Sequence, residues 1–418
     1  MTAPHEGSWV GVPADSDFPL ENLPFGVFER HGVRHIGVAI GASIFDLHDA
    51  AGAGLFDDIL ARTVLEASTL NPLLSAGRKV WSELRARLME TLRSTTVLLD
   101  RVDRDKLLAP QHGAKMHVPM HVGDYADFYS SLEHATNLGK IFRPDGEPLL
   151  PNWRWVPIGY HGRSSTIVVD GTPVRRPAGQ RKLPGAAQPV FGPSQMLDIE
   201  LEIGFVTGPA NAMGTRIPVQ RARDHIFGVV LLNDWSARDI QAWEYQPLGP
   251  FLGKSFATSV SPWIVTLDAL EPYRLQGPRQ EPQPLEYLRS AEPWNYDIGL
   301  DVELQAPGMS GPHRISHTNF KHMYWNMAQQ LAHLTVNGTS AQPGDLYGSG
   351  TISGPQADSL GSLIELSWRG ARPIALPGGL SRSFLQDGDT IILSGAAAAA
   401  GKPRIGLGRV SGTILPCE

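Results

Sequence analysis

The sequence predicts a mainly β protein in two parts, a small N-terminal β-barrel with helices followed by a larger β-rich domain. Three observations carry that expectation. Glycine and proline are frequent, at 44 and 34 residues. Over most of the second half they interrupt the chain every few residues, which suits short strands and loops better than long helices. Gly26 to Leu47 mixes apolar residues with glycines in the manner of short barrel strands. A chain of 418 residues, 42% of them hydrophobic, also exceeds what one small core needs, so more than one domain is expected.

The elements follow in chain order. After the barrel strands, Leu55 to Leu74 forms a short amphipathic run, and Leu84, Leu88 and Leu92 repeat at helical spacing. Val102 to Pro119 reads as a connector, which divides the chain into residues 1–118 and 119–418. Leu197 to Val206 has strand character, and Val229 to Leu232 reads as a buried strand that runs out at Asp234. Trp235 to Gln241 suits a helical turn with Arg238 and Gln241 three apart on one face. A second helix is expected from Phe320 to Val336. Phe320, Met323, Met327, Leu331 and Leu334 share its apolar face, and Asn337-Gly338 stops it. The glycosylation-like triplet Asn337-Gly338-Thr339 is read as that turn, and Ala396 to Ala400 as a loop.

Charge and cysteine usage exclude several classes. With 36 basic and 42 acidic side chains the net charge is −6, which does not suit a nucleic-acid partner. No apolar run approaches the roughly 20 residues that span a bilayer. Met1 to Glu6 carries no basic region followed by an apolar stretch, so no secretory signal is expected. The single cysteine, Cys417, cannot pair within the chain. These features fit a cytoplasmic protein whose metal, if it holds one, is bound by oxygen or nitrogen. There is no Gly-x-Ser-x-Gly elbow, P-loop, His-Glu-x-x-His pair or Cys-x-x-Cys.

The chemistry concentrates in carboxylates. Glu200 and Glu202 stand two apart in a strand and so project from one face, with Ile199, Leu201 and Ile203 filling the other. On a solvated face such a pair is harmless; at the centre of an apolar strand it points to a cation between them. Asp234, at the end of a buried strand, and Asp127, within Gly123 to Ser131, stand in similar settings. Four carboxylates on one ion would make an oxygen-only site, favouring calcium or magnesium over zinc or copper. His134 lies seven residues after Asp127. Near such a site a neutral imidazole can take a proton from water, and Glu365 is a candidate to fix its tautomer. Lys254, after Gly253, is either an ordinary surface lysine or a charge that balances the carboxylates and stabilises a developing anion. Gly350 to Gly354 is a glycine-flanked hydroxyl loop, either a carboxylate-binding loop or a plain turn.

Taken together these stretches resemble the fumarylacetoacetase family. The matching segments are GDYADFYSSLEHATNLGKIFR from Gly123, PNWRWVPIGYHGR from Pro151, DIELEIG from Asp198 and NDWSARDIQAWEYQPLGPFLGK from Asn233; NFKHMYW from Asn319, GDLYGSGTISG from Gly344 and ELSWRG from Glu365 continue them. The resemblance implies an SH3-like β-barrel for 1–118 and a catalytic β-rich domain of fumarylacetoacetase type for 119–418. It implies that Asp127, Glu200, Glu202 and Asp234 hold calcium or magnesium, that His134 is the general base and that Glu365 is its partner. Arg238, Gln241 and Lys254 match groups that stabilise the carbonyl oxygen and the leaving carbanion. Tyr129, Arg143, Tyr160, Gln241, Tyr245 and Thr351 match substrate contacts, and Lys254 and Thr258 match positions near a second, structural magnesium. The implied activity is hydrolysis of the carbon–carbon bond of fumarylacetoacetate, a β-diketo acid, to fumarate and acetoacetate, the last step of tyrosine and phenylalanine catabolism, by a homodimer. The chain departs from the family pattern where Leu334 follows His333, where Thr339 stands at a cysteine position, and at Ala396 to Ala400. The competing readings are a shorter-chain relative such as an acylpyruvate hydrolase or oxaloacetate decarboxylase, and an inert metal-binding scaffold.

Overall fold

A computed structural model describes residues 7–100 and 102–418, so the reading of Met1 to Glu6 lies outside the described residues. The N-terminal part is an antiparallel sheet of five strands. β1 (Phe25–Arg30), β2 (Val33–Ile40), β3 (Ser43–Asp46), β4 (Leu108–Pro110) and β5 (Met116–His117) run in the order β4-β3-β2-β1-β5. Helices α1 (Leu47–Gly52), α2 (Arg62–Leu65), α3 (Asn71–Ser75) and α4 (Arg78–Leu92) lie between β3 and β4. In α4, Trp81, Leu84, Leu88 and Leu92 are buried, the stripe that the leucine spacing predicts.

The larger part is built on a mixed sheet of eight strands. Its path runs β7 (Gly159–His161), β6 (Tyr125–Phe128), Leu346–Gly348, Leu201–Thr207, Ile226–Asp234, Thr258–Val260 and β8 (Ile167–Val169), with Val265–Thr266 also paired to Ile226–Asp234. The two central strands, Leu201–Thr207 and Ile226–Asp234, are buried at every position, so they read as continuous apolar runs rather than alternating ones. One face of this sheet joins the N-terminal core, through Val206, Phe227, Val230, Leu232 and Leu346. The other packs toward a five-stranded sheet containing Gly299–Gln305, Thr390–Ala397 and Ile405–Leu415.

Five local expectations are corrected. Leu55 to Leu74 is not one amphipathic run: turns interrupt it, and Pro72 starts a fresh helix at α3, because proline has no N–H for a preceding turn. Val102 to Pro119 is not a bare connector, since β4 pairs with β3 and β5 with β1. The helix expected from Phe320 opens on one 3-10 turn, Phe320–His322, and the α-helix itself runs only from Met327 to Thr335. The backbone N–H groups of Tyr324 and Trp325 both donate to Ser130 O, and Asn326 then caps the helix in a box with Gln329. Its stop is as expected: Gly338, at φ +92°, donates to Thr335 O. The helical turn after Asp234 starts at Arg238 rather than Trp235, because Ser236–Ala237 pairs with Leu197–Asp198. Ala396 and Ala397 end a strand, paired with Gly406 and Ile405; only the remaining alanines are loop.

Candidate active site

Strand register assembles the acidic residues. Asp127 on β6 lies beside Gly348 of the parallel strand Leu346–Gly348, whose neighbour Leu201–Thr207 carries Glu202. Asp234 ends the next strand over. Glu200 stands just before Leu201, with its N–H on Asn233 Oδ1 and its carbonyl accepting from Asp234 N–H. The result is four buried carboxylates, Asp127, Glu200, Glu202 and Asp234, with one oxygen of each within 4.8 Å of the others. Gly348 makes the close packing possible. A Cβ there would stand 2.7 Å from Glu202 Oε2 and 3.2 Å from Asp127 Oδ1.

Their electrostatics indicate a cation. Burial first, then mutual repulsion, pushes the Asp127 and Glu202 carboxyls well above the usual carboxylate range and raises Asp234 as well. Burial also acts on Glu200, but Lys254 and Arg238 outweigh it and hold that group well below the usual range. Lys254 Nζ lies 2.7 Å from Glu200 Oε2 and 2.6 Å from Asp234 Oδ2. Arg238 donates from Nη1 to Glu200 and from Nε to Asp198, both at 2.8 Å. With Asp198 counted, five buried carboxylates face two buried cations. Asp127 Oδ1 and Glu202 Oε1 are buried with no hydrogen-bond partner, an arrangement that costs several kcal/mol per ion unless a counter-charge supplies the bonds. An all-oxygen donor set with orphaned lone pairs fits a hard divalent cation.

The basic nitrogen sits nearby. His134, on α5 (Leu132–Phe142), has Nδ1 2.6 Å from Glu365 Oε2. Burial raises Glu365, but the imidazole and hydrogen bonds from Asn137 and Ser362 bring it below its ordinary value. A carboxylate at Oε2 places the proton on Nδ1 and leaves Nε2 basic. Ser353 and Ser362 also donate to Oε2, and Asn137 to Oε1. The Gly350–Gly354 loop is therefore carboxylate-binding, but the carboxylates are the protein's own: Gly350 N–H donates to Glu202 and Ser353 Oγ to Glu365.

These groups line a cleft of about 370 Å³. Asp127, Tyr129, His134, Arg143, Tyr160, Glu200, Arg238, Gln241, Tyr245, Lys254 and Thr351 all face it. Leu138, Phe142, Ile158, Ala242 and Leu248 supply an apolar wall. Glu365 stands behind His134, Glu202 behind Asp127, and Thr258 behind Asp234, with its Oγ1 3.1 Å from Asp234 Oδ1. Arg238 Nη2, Arg143 Nε and Thr351 Oγ1 are buried donors without a protein partner among the described residues.

Sequence reasoning missed Asp198, Asn137 and Ser362, and marked Ser353 only as part of the Gly350–Gly354 hydroxyl loop. Asp198 Oδ2 accepts from Arg238 Nε and Ile364 N–H, and Oδ1 from Ile199 and Leu363 N–H. It ties the arginine to the helical turn that carries Glu365. The signal was present: the acidic alternation of Glu200 and Glu202 extends one step back to Asp198. Nothing in the sequence marked Ser362 or Asn137.

A second group of potential ligands lies in the N-terminal part, where one ligand atom each from His35, Asp46, His48 and Asp49 falls within 4.8 Å of the others. Here Asp46 Oδ2 already receives His35 Nδ1 at 2.8 Å and Arg30 Nη1 at 2.9 Å, and Oδ1 caps α1 through Asp49 N–H. The two imidazoles stack at 4.0 Å.

The family model described as fumarylacetoacetate (FAA) hydrolase C-terminal matches residues 124–414, and the one described as fumarylacetoacetase N-terminal matches residues 21–119. The fumarylacetoacetase of Caenorhabditis elegans is 51% identical over 419 residues, spanning 98% of this chain and 99% of that one. The human fumarylacetoacetase is 49% identical over 417 residues, with coverage of 98% and 99%. The solved structure of a fumarylacetoacetate hydrolase from psychrophilic Exiguobacterium antarcticum shares the fold, with a TM-score of 0.54 at 17% identity over 94% of this chain and 99% of that one.

Proposed function

The chain belongs to the fumarylacetoacetate hydrolase family, and from that premise we propose that it hydrolyses a carbon–carbon bond of fumarylacetoacetate to give fumarate and acetoacetate. The observation that carries this reading is that a buried four-carboxylate group, reaching one cleft through Asp127 and Glu200, shares that cleft with a histidine whose tautomer is fixed by Glu365.

A divalent cation held by Asp127, Glu200, Glu202 and Asp234 supplies Lewis-acid polarisation of the diketone oxygens. Calcium and magnesium are the ions proposed. His134 Nε2 takes a proton from water, and the hydroxide adds to the carbonyl next to the fumaryl double bond. Collapse of the tetrahedral adduct breaks the bond to the neighbouring methylene. The electron pair leaves as the enolate of acetoacetate, which recovers the proton from the His134 imidazolium. Arg238 and Gln241 face the developing oxyanion, and Arg238 Nη2 is the unpartnered donor suited to it. Lys254 balances the enolate charge. Arg143, Tyr129, Tyr160, Tyr245 and Thr351 hold the substrate, with guanidinium on carboxylate as the strongest of these contacts. The structural magnesium proposed beside Lys254 and Thr258 would take oxygens only, because an ammonium has no lone pair.

No helix among the described residues is long and apolar enough to cross a membrane. We place the protein in the cytoplasm, divided at 118/119 just after β5, and as a homodimer through the larger domain. Exposed Trp243, Leu248, Phe251 and Leu252 support that pairing, and sedimentation velocity tests it. The functional test is loss of the diketone ultraviolet absorbance of fumarylacetoacetate, with acylpyruvates assayed alongside. Turnover abolished by chelator and restored by calcium or magnesium is expected. Turnover of acylpyruvates alone would overturn the substrate assignment.

A further inference from the structure

One buried polar group beside the acidic residues has no part in the scheme above. Tyr125 opens β6 two residues before Asp127, so the two side chains leave the strand on the same face. The residue is 2% exposed, and its hydroxyl is buried without a hydrogen-bond partner among the described residues. The hydroxyl points at the carboxylates. The position a Cβ would take on Gly348 lies 3.3 Å from Tyr125 Oη, beside Glu202 Oε2 and Asp127 Oδ1. The ring cannot swing away, because Gly162 packs against it so closely that a Cβ there would stand 2.4 Å from Cδ1, and Gly162 N–H donates to Tyr125 O. An apolar Phe would fill this place without leaving a buried hydroxyl unsatisfied, and an unsatisfied buried hydroxyl is destabilising. A donor held there is accounted for if it has a partner once the ion is bound.

We propose that Tyr125 is a positioning residue of the metal centre, donating its hydroxyl proton to the Asp127–Glu202 side of the ligand set or to a water on the ion. This inference rests on the metal-dependent reading above. Such a donor orients the ligand oxygens and keeps their lone pairs turned to the cation, and losing an outer-sphere partner of this kind lowers metal affinity by about 10–100-fold.

The test is calcium and magnesium calorimetry on the chelator-stripped full chain, comparing wild type with Tyr125→Phe. The expected result is unchanged stoichiometry, affinity weaker by about 10–100-fold, and a chelated melting temperature no lower than wild type. Affinity within twofold of wild type would overturn the proposal. A second probe keeps the hydroxyl: 3-fluorotyrosine placed at 125 should shift its fluorine resonance during the calcium titration, with the calorimetric midpoint. A resonance that stays put through saturation also overturns it. Wild type that binds metal but leaves fumarylacetoacetate intact would remove the substrate assignment, while the Tyr125 measurements still stand or fall alone.

Discussion

Among the described residues two groups of side chains could ligate a metal, and they differ in how their charges are met. Around Asp46, one carboxylate receives Arg30, His35 and a helix N–H, so every oxygen of that side chain has a partner. Around Glu202, three further carboxylates converge, and oxygens of Asp127 and Glu202 are left bare in the interior. Proximity of ligand atoms is the same in both. What separates a structural ion-pair network from a cation site is the unspent lone pair, since a buried charge without a partner persists only where something else supplies one.

That difference is open to direct attack. The largest effect is expected from Glu202→Gln. Bound calcium or magnesium should fall below measurement by atomic emission, and turnover should fall at least ~10⁴-fold, as far as removal of a general base can take it. Retained metal would take Glu202 out of the ligand set. His134→Ala should cost turnover about 10²–10⁴-fold while metal content stays at the wild-type level, which separates the base from the ligands. Near-normal turnover would end the general-base role. Asp46→Ala should leave metal content and turnover unchanged but lower stability by about 1–3 kcal/mol in urea unfolding, because it removes the α1 cap and the acceptor of the buried His35, while Arg30 keeps Asp49 and Lys106 O. A lost equivalent of metal there would make the N-terminal group a site after all.

The smallest effect is a slope. Asp127, Glu202 and Asp234 have raised values in the folded chain, so the folded state holds more protons than the unfolded state above the ordinary carboxylate range. Stability in chelator should therefore rise as pH falls toward that range. Glu200 and Glu365, held low, act oppositely, and their contribution is lost only as pH falls below the ordinary range. Saturating calcium should flatten the first slope, because it displaces those protons. A melting temperature that climbs with pH in chelator would contradict the assignment.

How much of this was legible beforehand follows from the physics of each signal. Glu200 and Glu202 announced themselves because a period of two survives in any strand, whatever its neighbours. The α4 leucines did so for the corresponding helical reason. The helix expected from Phe320 is broken after a single 3-10 turn because the N–H groups of Tyr324 and Trp325 are claimed by Ser130, a tertiary contact that no local pattern encodes. Val102 to Pro119 looked like linker because strands of two or three residues carry too little pattern to register. Ser362 and Asn137 were invisible for a related reason: their work is done on Glu365, and only folding brings them there. The roles of Arg143, Tyr245 and Thr351 came from resemblance alone.

Asp127 and Gly348 lie side by side on parallel strands contributed by distant parts of the chain. A parallel pair has no hairpin to close it, so this contact forms only after a long loop has been drawn in. The four-carboxylate set is therefore complete only once β6 has paired with Leu346–Gly348, and metal retention is expected to gauge how completely β6 has docked. Substitutions that loosen Leu346–Gly348 from β6, even those far from the cleft, are expected to register first as lost metal and only later as lost structure.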